Sequence, residues 1–402
     1  MPTQTIPNWW KKVKLGEVVE INPKISLIKW KKYPYIEMQA VRENGFRWET
    51  YTLEREYNWG WSKFEKWDIL FARITPCLQN SKFTQVRTID KWFGSTEFFV
   101  FRNKEWITDK NYLFYLLLTP FVKDTAEKSM VWASWRQRAD VKSLRNLSIL
   151  LPPLPIQRKV ASILSAYDEL IENNNKRIKI LESMGKAIFD DMMKQAEEKG
   201  ELEEVKLTDI IDFLEGPWLR RWQYKNKWIP ILNIRVIENW EINLKKIDKY
   251  LDIEEVKNKY NHFLLNEYDH IISTSWTLGK FATTRKSHLP LCLNTSIIRF
   301  RPKNNKVWTW FIKHYLKNWE FKFKLEQMAT WVAQKNFWPM HLKQINLKLP
   351  KEKLLNTFEK NVIPIELEIL NLLDQNQNLK QTRDLLIPQL VTGKLDVEEM
   401  EI

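Results

Sequence analysis

The sequence predicts a mixed α+β and α/β chain of two globules joined by two long helices. The helices are expected to pair as an antiparallel coiled coil, and the halves to be related by an internal pseudo-twofold repeat. Three observations predict this: a tandem repeat, a heptad run in each half, and a proline signal ahead of each run. Lys14-Leu15-Gly16-Glu17-Val18-Val19 recurs as Lys206-Leu207-Thr208-Asp209-Ile210-Ile211, and Trp67-Asp68-Ile69-Leu70 as Tyr268-Asp269-His270-Ile271-Ile272. Ser95-Thr96-Glu97-Phe98 recurs as Asn294-Thr295-Ser296-Ile297, and Leu147-Ser148-Ile149-Leu150-Leu151-Pro152 as Ile345-Asn346-Leu347-Lys348-Leu349-Pro350. Four pairs in one order, about 200 residues apart, describe a unit used twice. The repeat divides the chain into a first globule (1–150), a first long helix (151–198), a second globule (199–350) and a second long helix with its tail (351–402).

Within each globule, short β-branched or alternating runs read as strands: Asp68 to Ile74, Glu97 to Arg102, His270 to Thr274 and Thr295 to Phe300. Helical stretches, Asn111 to Glu127 and Val307 to Gln327, lie between them. Proline at Pro152, Pro153, Pro155 and Pro350 suits the first turn of a following helix. The first helix then places Ile156, Val160, Ile163, Tyr167, Leu170, Asn174, Ile178, Leu181, Met184, Ile188 and Met192 at steps of three and four. The second places Leu355, Phe358, Val362, Ile365, Ile369, Leu372, Asn376, Leu379 and Leu386 likewise. Such a 3.5-residue repeat is a coiled-coil seam, and one Asn in each seam can fix its register. About 38 residues make a rod of roughly 57 Å. Two ordinary amphipathic core helices are the alternative, and Pro364 is expected to kink or break the second seam.

Lys and Arg number 64 against 50 Asp and Glu, a net charge of +14. That surplus favours a polyanion partner, nucleic acid before an anionic membrane, although it also serves solubility. Cys77 and Cys292 are far apart in the chain, which argues against a disulfide scaffold or a CxxC zinc site. Five scattered His without an HExxH pair give no catalytic metal. No stretch of 18 apolar residues appears, and Met1 to Lys12 lacks an apolar leader, so a cytoplasmic protein off the membrane is expected. No phosphate loop is present, since Trp276-Thr277-Leu278-Gly279-Lys280 is too short. The only Pro-Pro pair, Pro152-Pro153, is flanked by leucines rather than by the Asn or Asp and aromatic residue of an amino-methyltransferase loop. The chain reads as a binding protein without bound cofactor or metal.

The sequence resembles the specificity (S) subunits of type I restriction–modification systems. The resemblance rests on Phe64-Glu65-Lys66-Trp67-Asp68-Ile69-Leu70-Phe71-Ala72-Arg73-Ile74-Thr75-Pro76, Gly94-Ser95-Thr96-Glu97-Phe98 and Leu151-Pro152-Pro153-Leu154-Pro155-Ile156-Gln157-Arg158-Lys159. It continues through Leu170-Ile171-Glu172-Asn173-Asn174-Asn175, Leu219-Arg220-Arg221-Trp222-Gln223-Tyr224 and Pro388-Gln389-Leu390-Val391-Thr392-Gly393-Lys394. The resemblance implies two target-recognition domains joined by helices that the family conserves, each domain reading one half of a bipartite duplex DNA site. It further implies docking of two methylating (M) subunits, which bind S-adenosylmethionine, and recruitment of restriction (R) subunits that use ATP. The S chain itself is then non-catalytic.

Candidate DNA-facing residues are polar or basic positions on turns beside strands. In the first domain they are Arg73, Gln79, Asn80, Lys82, Ser95, Thr96, Arg136, Gln137 and Arg138; in the second, Arg220, Arg221, Gln223, Asn233, Arg235, Thr277, Lys280, Asn294, Gln334, Lys335 and Asn336. Arg can bond guanine through two hydrogen bonds, and Asn or Gln can do so with adenine. Equally, several of these residues could cap helices or pair with carboxylates. Two other functions stay open: a basic, aromatic-rich protein binding single-stranded nucleic acid by stacking, and an S chain lacking its M partner.

One anomaly bears on the stacking alternative. Gly occurs 9 times where roughly 28 are expected, and Trp occurs 21 times, so the Trp excess is about the size of the Gly deficit. Trp67 stands where a Gly-Asp pair is expected, Trp59-Gly60-Trp61 reads as a triple-Gly turn, and Trp218 follows Gly216-Pro217. Trp135, Trp276, Trp331 and Trp338 also occupy turn positions, whereas Trp222 reads as genuine. A UGA codon that means glycine in the source, translated here as tryptophan, would produce this pattern.

Overall fold

The computed structural model describes residues 10–41, 43, 53–87, 90–133, 136–238, 240–274, 279–303, 308–328, 330–332, 334–336 and 339–397. Two compact units divide the chain, Met1–Asn173 with Asn376–Ile402, and Asn174–Gln375. Each unit combines one globule with part of both long helices. No helix among the described residues is long and apolar enough to cross a membrane.

In the first unit, strands β1 (Val19–Ile21), β2 (Ile69–Ala72), β3 (Phe83–Gln85) and β4 (Phe98–Asn103) form an antiparallel sheet in the order β1-β4-β2-β3. Period-two alternation gives this sheet two buried faces. Ile69, Phe71, Phe99 and Phe101 join one core with helix α1 (Lys110–Leu117) and with Val160, Leu164, Leu390 and Val391 of the long helices. Leu70, Phe98 and Val100 join another, with Ile36, Phe64 and Trp92 from a second four-stranded sheet. The expected helix from Asn111 to Glu127 is two helices, because Pro120 lacks the N–H to continue the first and instead opens the second, Pro120–Lys128.

The second unit repeats half of this plan. Strands β5 (Ile211–Glu215), β6 (His270–Ser273), β7 (Phe281–Thr283) and β8 (Ile297–Pro302) take the order β5-β8-β6-β7. Ile272, Ile298 and Phe300 pack with helix α2 (Thr309–Lys317) and with Phe189, Leu355, Phe358 and Val362 of the long helices. The expected helix from Val307 to Gln327 also divides, ending at Asn318 before a second helix, Trp319–Met328. The opposite face differs from the first unit. Ile271, Ala282 and Ile297 meet Leu232, Val236, Leu291 and Leu293 from short strands and single turns rather than a four-stranded sheet.

A buried clamp recurs in both units. Asp68, with its side chain buried, accepts Arg102 Nε and Nη2 at 2.7 Å each and the Glu65 N–H at 2.7 Å. Asp269 accepts Arg301 Nε and Nη2 at 2.7 Å each and the Asn266 N–H at 2.6 Å. Each clamp ties the turn that opens β2 or β6 to the neighbouring β4 or β8. Two-stranded antiparallel ribbons also recur: Lys11–Lys14 with Ser148–Leu151, and Leu202–Lys206 with Asn346–Pro350.

The long helices span Leu154–Glu198 and Glu352–Val391. In the first unit, Asp168 accepts from Tyr115 Oη at 2.5 Å and from Arg383, while Tyr112 Oη donates to the Val391 carbonyl at 3.2 Å. In the second, Ile178 packs with Ile369 and Leu372, Phe189 with Phe358, and Arg177 Nη2 reaches Glu368 at 2.8 Å. As the first helix advances from 178 to 189 its partners retreat from 369 to 358, so the pairing is antiparallel. The buried heptad of the first helix is Gln157, Leu164, Ile171, Ile178, Gly185 and Met192. The seam expected from sequence drifts off it at Leu170 and Met184, which are exposed. The second helix buries Leu355, Val362, Ile369, Asn376, Arg383 and Leu390 at the same spacing. Asn174 is buried too. Pro364 does not interrupt the helix. It lies on the exposed side, where water can serve the carbonyl that lost its N–H partner.

Candidate nucleic-acid interface

In the first unit, three distant segments meet at the end of β2. The Arg73 N–H donates to the Glu97 carbonyl at 3.0 Å, Thr75 N–H to Gln137 O at 3.2 Å, and Ala139 N–H to Arg73 O at 2.8 Å. These bonds bring Arg73, Ser95, Thr96, Gln137 and Arg138 together. Glu97 holds both arginines: Arg73 Nε lies 3.2 Å and Arg138 Nη2 2.6 Å from its carboxylate. Burial opposes the charge on Glu97, but the Arg138 hydrogen bonds and the charges of both arginines hold its pKa below the usual carboxylate value. Both arginine side chains are 31% exposed, so the ion-paired cluster reaches the surface of the turn. Ser95 Oγ accepts the Glu97 N–H at 3.3 Å, and Thr96 is exposed at the tip of the turn.

The neighbouring turn carries the other candidates of this domain. Asn80 Nδ2 donates to Glu43 at 2.9 Å, Lys82 Nζ to the Met38 carbonyl at 3.0 Å, and the Gln79 carbonyl accepts Lys123 Nζ at 2.8 Å while the Gln79 side chain is exposed. Lys82 is therefore committed to backbone. Arg136 pairs with Ala133 in a hairpin, but its side chain lies outside the described residues.

In the second unit the same backbone carries different side chains. Thr274 N–H donates to Ser296 O at 2.9 Å, matching Arg73 and Glu97. Here the cations come from an exposed segment after Gly216-Pro217, with Arg220, Arg221, Lys225 and Lys227 all exposed. Gly216 is required: a Cβ there would lie 2.1 Å from the Asn294 carbonyl, so only glycine lets this segment pass the Asn294 turn. Gln223 is buried and shapes the segment. Its carbonyl accepts the Arg220 N–H at 2.8 Å, and its amide donates to Glu255 at 2.6 Å and Tyr260 Oη at 2.8 Å. Asn233 caps a turn by accepting the Arg235 N–H at 2.9 Å, leaving the Arg235 side chain exposed. Lys280 Nζ is held by the Ile234 and Ile237 carbonyls at 3.3 and 2.9 Å, and Asn294 accepts the Thr295 N–H at 2.9 Å. Gln334, Lys335 and Asn336 form a strand against Thr330–Val332 with their side chains outside the described residues, and Thr277 lies wholly outside them.

The geometry thus separates exposed cations (Arg220, Arg221, Arg235) from the half-buried arginines paired with Glu97 (Arg73, Arg138) and from positions committed inward (Lys82, Gln223, Asn233, Lys280). Sequence reasoning missed Glu97, although it sits directly after Ser95-Thr96, and missed Lys225 and Lys227, which extend the Arg220-Arg221 segment. Among the described residues, no three His, Cys, Asp or Glu converge as a metal site would require.

Two globules that share a sheet plan and present different polar surfaces define a modular recognition protein. The chain belongs to the type I restriction modification DNA specificity domain family, whose model matches residues 7–183 and again 199–375. The DNA-recognition role follows from that family. Its relatives include the type I restriction enzyme MjaVIII specificity subunit of Methanocaldococcus jannaschii, 24% identical and covering 74% of this chain and 73% of the relative. The EcoAI specificity subunit of Escherichia coli is 21% identical, covering 79% and 70%. The fold is shared with the S subunit of a type I restriction–modification system from M. genitalium, at TM-score 0.57 and 15% identity over 98% of this chain and 99% of that one.

Proposed function

We propose that this chain gives a type I restriction–modification complex its DNA sequence preference, each globule reading one half of a bipartite duplex site. The observation that supports this most directly is the duplicated scaffold with unlike outer surfaces. The clamps Asp68–Arg102 and Asp269–Arg301 hold equivalent turns, yet one bears Arg73, Glu97 and Arg138 and the other Thr274 and Ser296 beside an Arg220-Arg221 segment. A shared central sheet with different donors suits two different half-sites. Phosphate contacts from the exposed cations supply affinity and its salt dependence, and a few side chains at base edges supply specificity.

In this reading the chain performs no chemistry. Two methylating subunits dock on its helices and carry S-adenosylmethionine, and restriction subunits using ATP join when cleavage follows. The test is coexpression with an M subunit from the same source, followed by sequencing of methylated bases. Methylation at one asymmetric bipartite motif, dependent on this chain, is expected. No chain-dependent motif, or preference for single strands in competition binding, would overturn the reading.

A further inference from the structure

Among the described residues, nine positions other than glycine have positive φ, and five of them are tryptophan: Trp30 (65°), Trp67 (77°), Trp106 (65°), Trp228 (103°) and Trp240 (68°). That share far exceeds the share of Trp in the chain, 21 of 402 residues. In this region the Cβ of an L-residue crowds the backbone, and a bulky side chain there is an outlier, whereas glycine adopts it freely. Gly60, Gly200, Gly279 and Gly393 occupy the same region. The tryptophans therefore sit on backbone shaped for glycine.

Exposure points the same way independently. Trp30, Trp106, Trp228 and Trp240 are 68, 85, 51 and 58% exposed, although indole has among the largest apolar surfaces to bury. Trp92 and Trp310, by contrast, are buried in cores at ordinary φ. Trp61 packs edge-on against Tyr35 with ring centroids 5.3 Å apart, so its geometry carries no sign of glycine. Trp59 and Trp218 are exposed without positive φ, Trp331 has only its backbone described, and Trp135, Trp276 and Trp338 lie outside the described residues.

We propose that the native chain carries glycine at positions 30, 67, 106, 228 and 240, a UGA codon read as glycine in the source having been rendered as tryptophan in this sequence. Four of the five positions are not conspicuous in the sequence alone; their backbone identifies them. Five such glycines raise the count from 9 to 14 and so account for part of the shortfall from roughly 28. Position 67 gains a functional reading as well: a Gly-Asp turn presents Asp68 to Arg102 without strain.

The experiment is mass spectrometry of tryptic peptides from the protein isolated from its source. Peptides 67–73, 105–110 and 228–235 are expected to be lighter than their tryptophan forms by the difference between tryptophan and glycine at one residue each. Peptides carrying intact tryptophan at these positions would overturn the proposal, as would UGG codons at the five sites in the source gene. A second arm compares recombinant chains coexpressed with the M subunit. The chain with Trp30→Gly, Trp67→Gly, Trp106→Gly, Trp228→Gly and Trp240→Gly is expected to melt at higher temperature than the chain with tryptophan at all five. An equal or lower midpoint would count against the assignment.

Discussion

At the scale of single residues, the two aspartate clamps are the clearest test of the duplicated plan. Asp269→Ala strands Arg301 against the second sheet and is expected to cost about 2–3 kcal/mol, somewhat less than a wholly buried pair because Arg301 remains 30% exposed. Asp68→Ala is expected to cost a similar amount in the first unit, and urea unfolding followed separately in each unit measures both. At the interface, Arg136→Ala with Arg138→Ala is expected to weaken cognate duplex binding. It should also flatten the salt dependence, by about 0.9 in log–log slope for each phosphate that the two arginines neutralise. Unchanged affinity and slope at physiological salt would remove both from the interface. The site was partly legible in sequence. Arg73 and Arg138 were identifiable as cations on turns, but their common partner Glu97 emerges only when segments from three parts of the chain meet. Gln223 shows the opposite failure: a polar residue between arginines reads as a base contact, yet burial turns it inward to Glu255 and Tyr260.

At the scale of elements, the heptads were legible because a seven-residue period survives in one helix without any tertiary knowledge. The phase was not, since Leu170 and Ile171 are adjacent and equally apolar, and only the partner helix decides between them. The structure buries Ile171 and exposes Leu170. Leu170→Glu is therefore expected to change stability by about 0.5 kcal/mol or less, and Ile171→Glu to cost more than about 3 kcal/mol by placing an unpaired carboxylate in the seam. Thermal unfolding of the two variants separates the phases. The breaks at Pro120 and Asn318 were missed because apolar periodicity runs on across each, while the backbone turns there.

At the scale of the whole molecule, all five histidines lie in the second unit. Burial drives His270 and His288 down to about 3. The unfolded chain takes up these protons below about pH 6.5 and the folded unit does not, so stability present above pH 6.5 is lost as pH falls toward 3. The loss is about 1.4 kcal/mol per pH unit for each group. Glu366 adds to this at lower pH. Burial opposes its charge, but Lys313 and His314 outweigh burial and hold it near 2, so its contribution fades below about pH 4.5. Hydrogen exchange at pH 7.5 and 5.5 is expected to show peptides of the second unit loosening while those of the first hold. A different manipulation tests the helices as a spacer: four residues inserted into each heptad run are expected to change the spacing of the methylated half-sites or abolish methylation. An unchanged motif would show that the helices do not set it.

The paired ribbons have one more consequence. In each globule the incoming strand is zipped to the outgoing one, Lys11–Lys14 to Ser148–Leu151 and Leu202–Lys206 to Asn346–Pro350. The two ends of each globule therefore lie side by side, while the globule between them also packs on the long helices. Such a globule is a cassette with one added condition. A foreign reading head spliced in at the ribbon must also fit the helix faces built by Val160, Leu164 and Leu390 or by Leu355, Phe358 and Val362. New specificities can therefore be acquired by exchange among heads that share this underside.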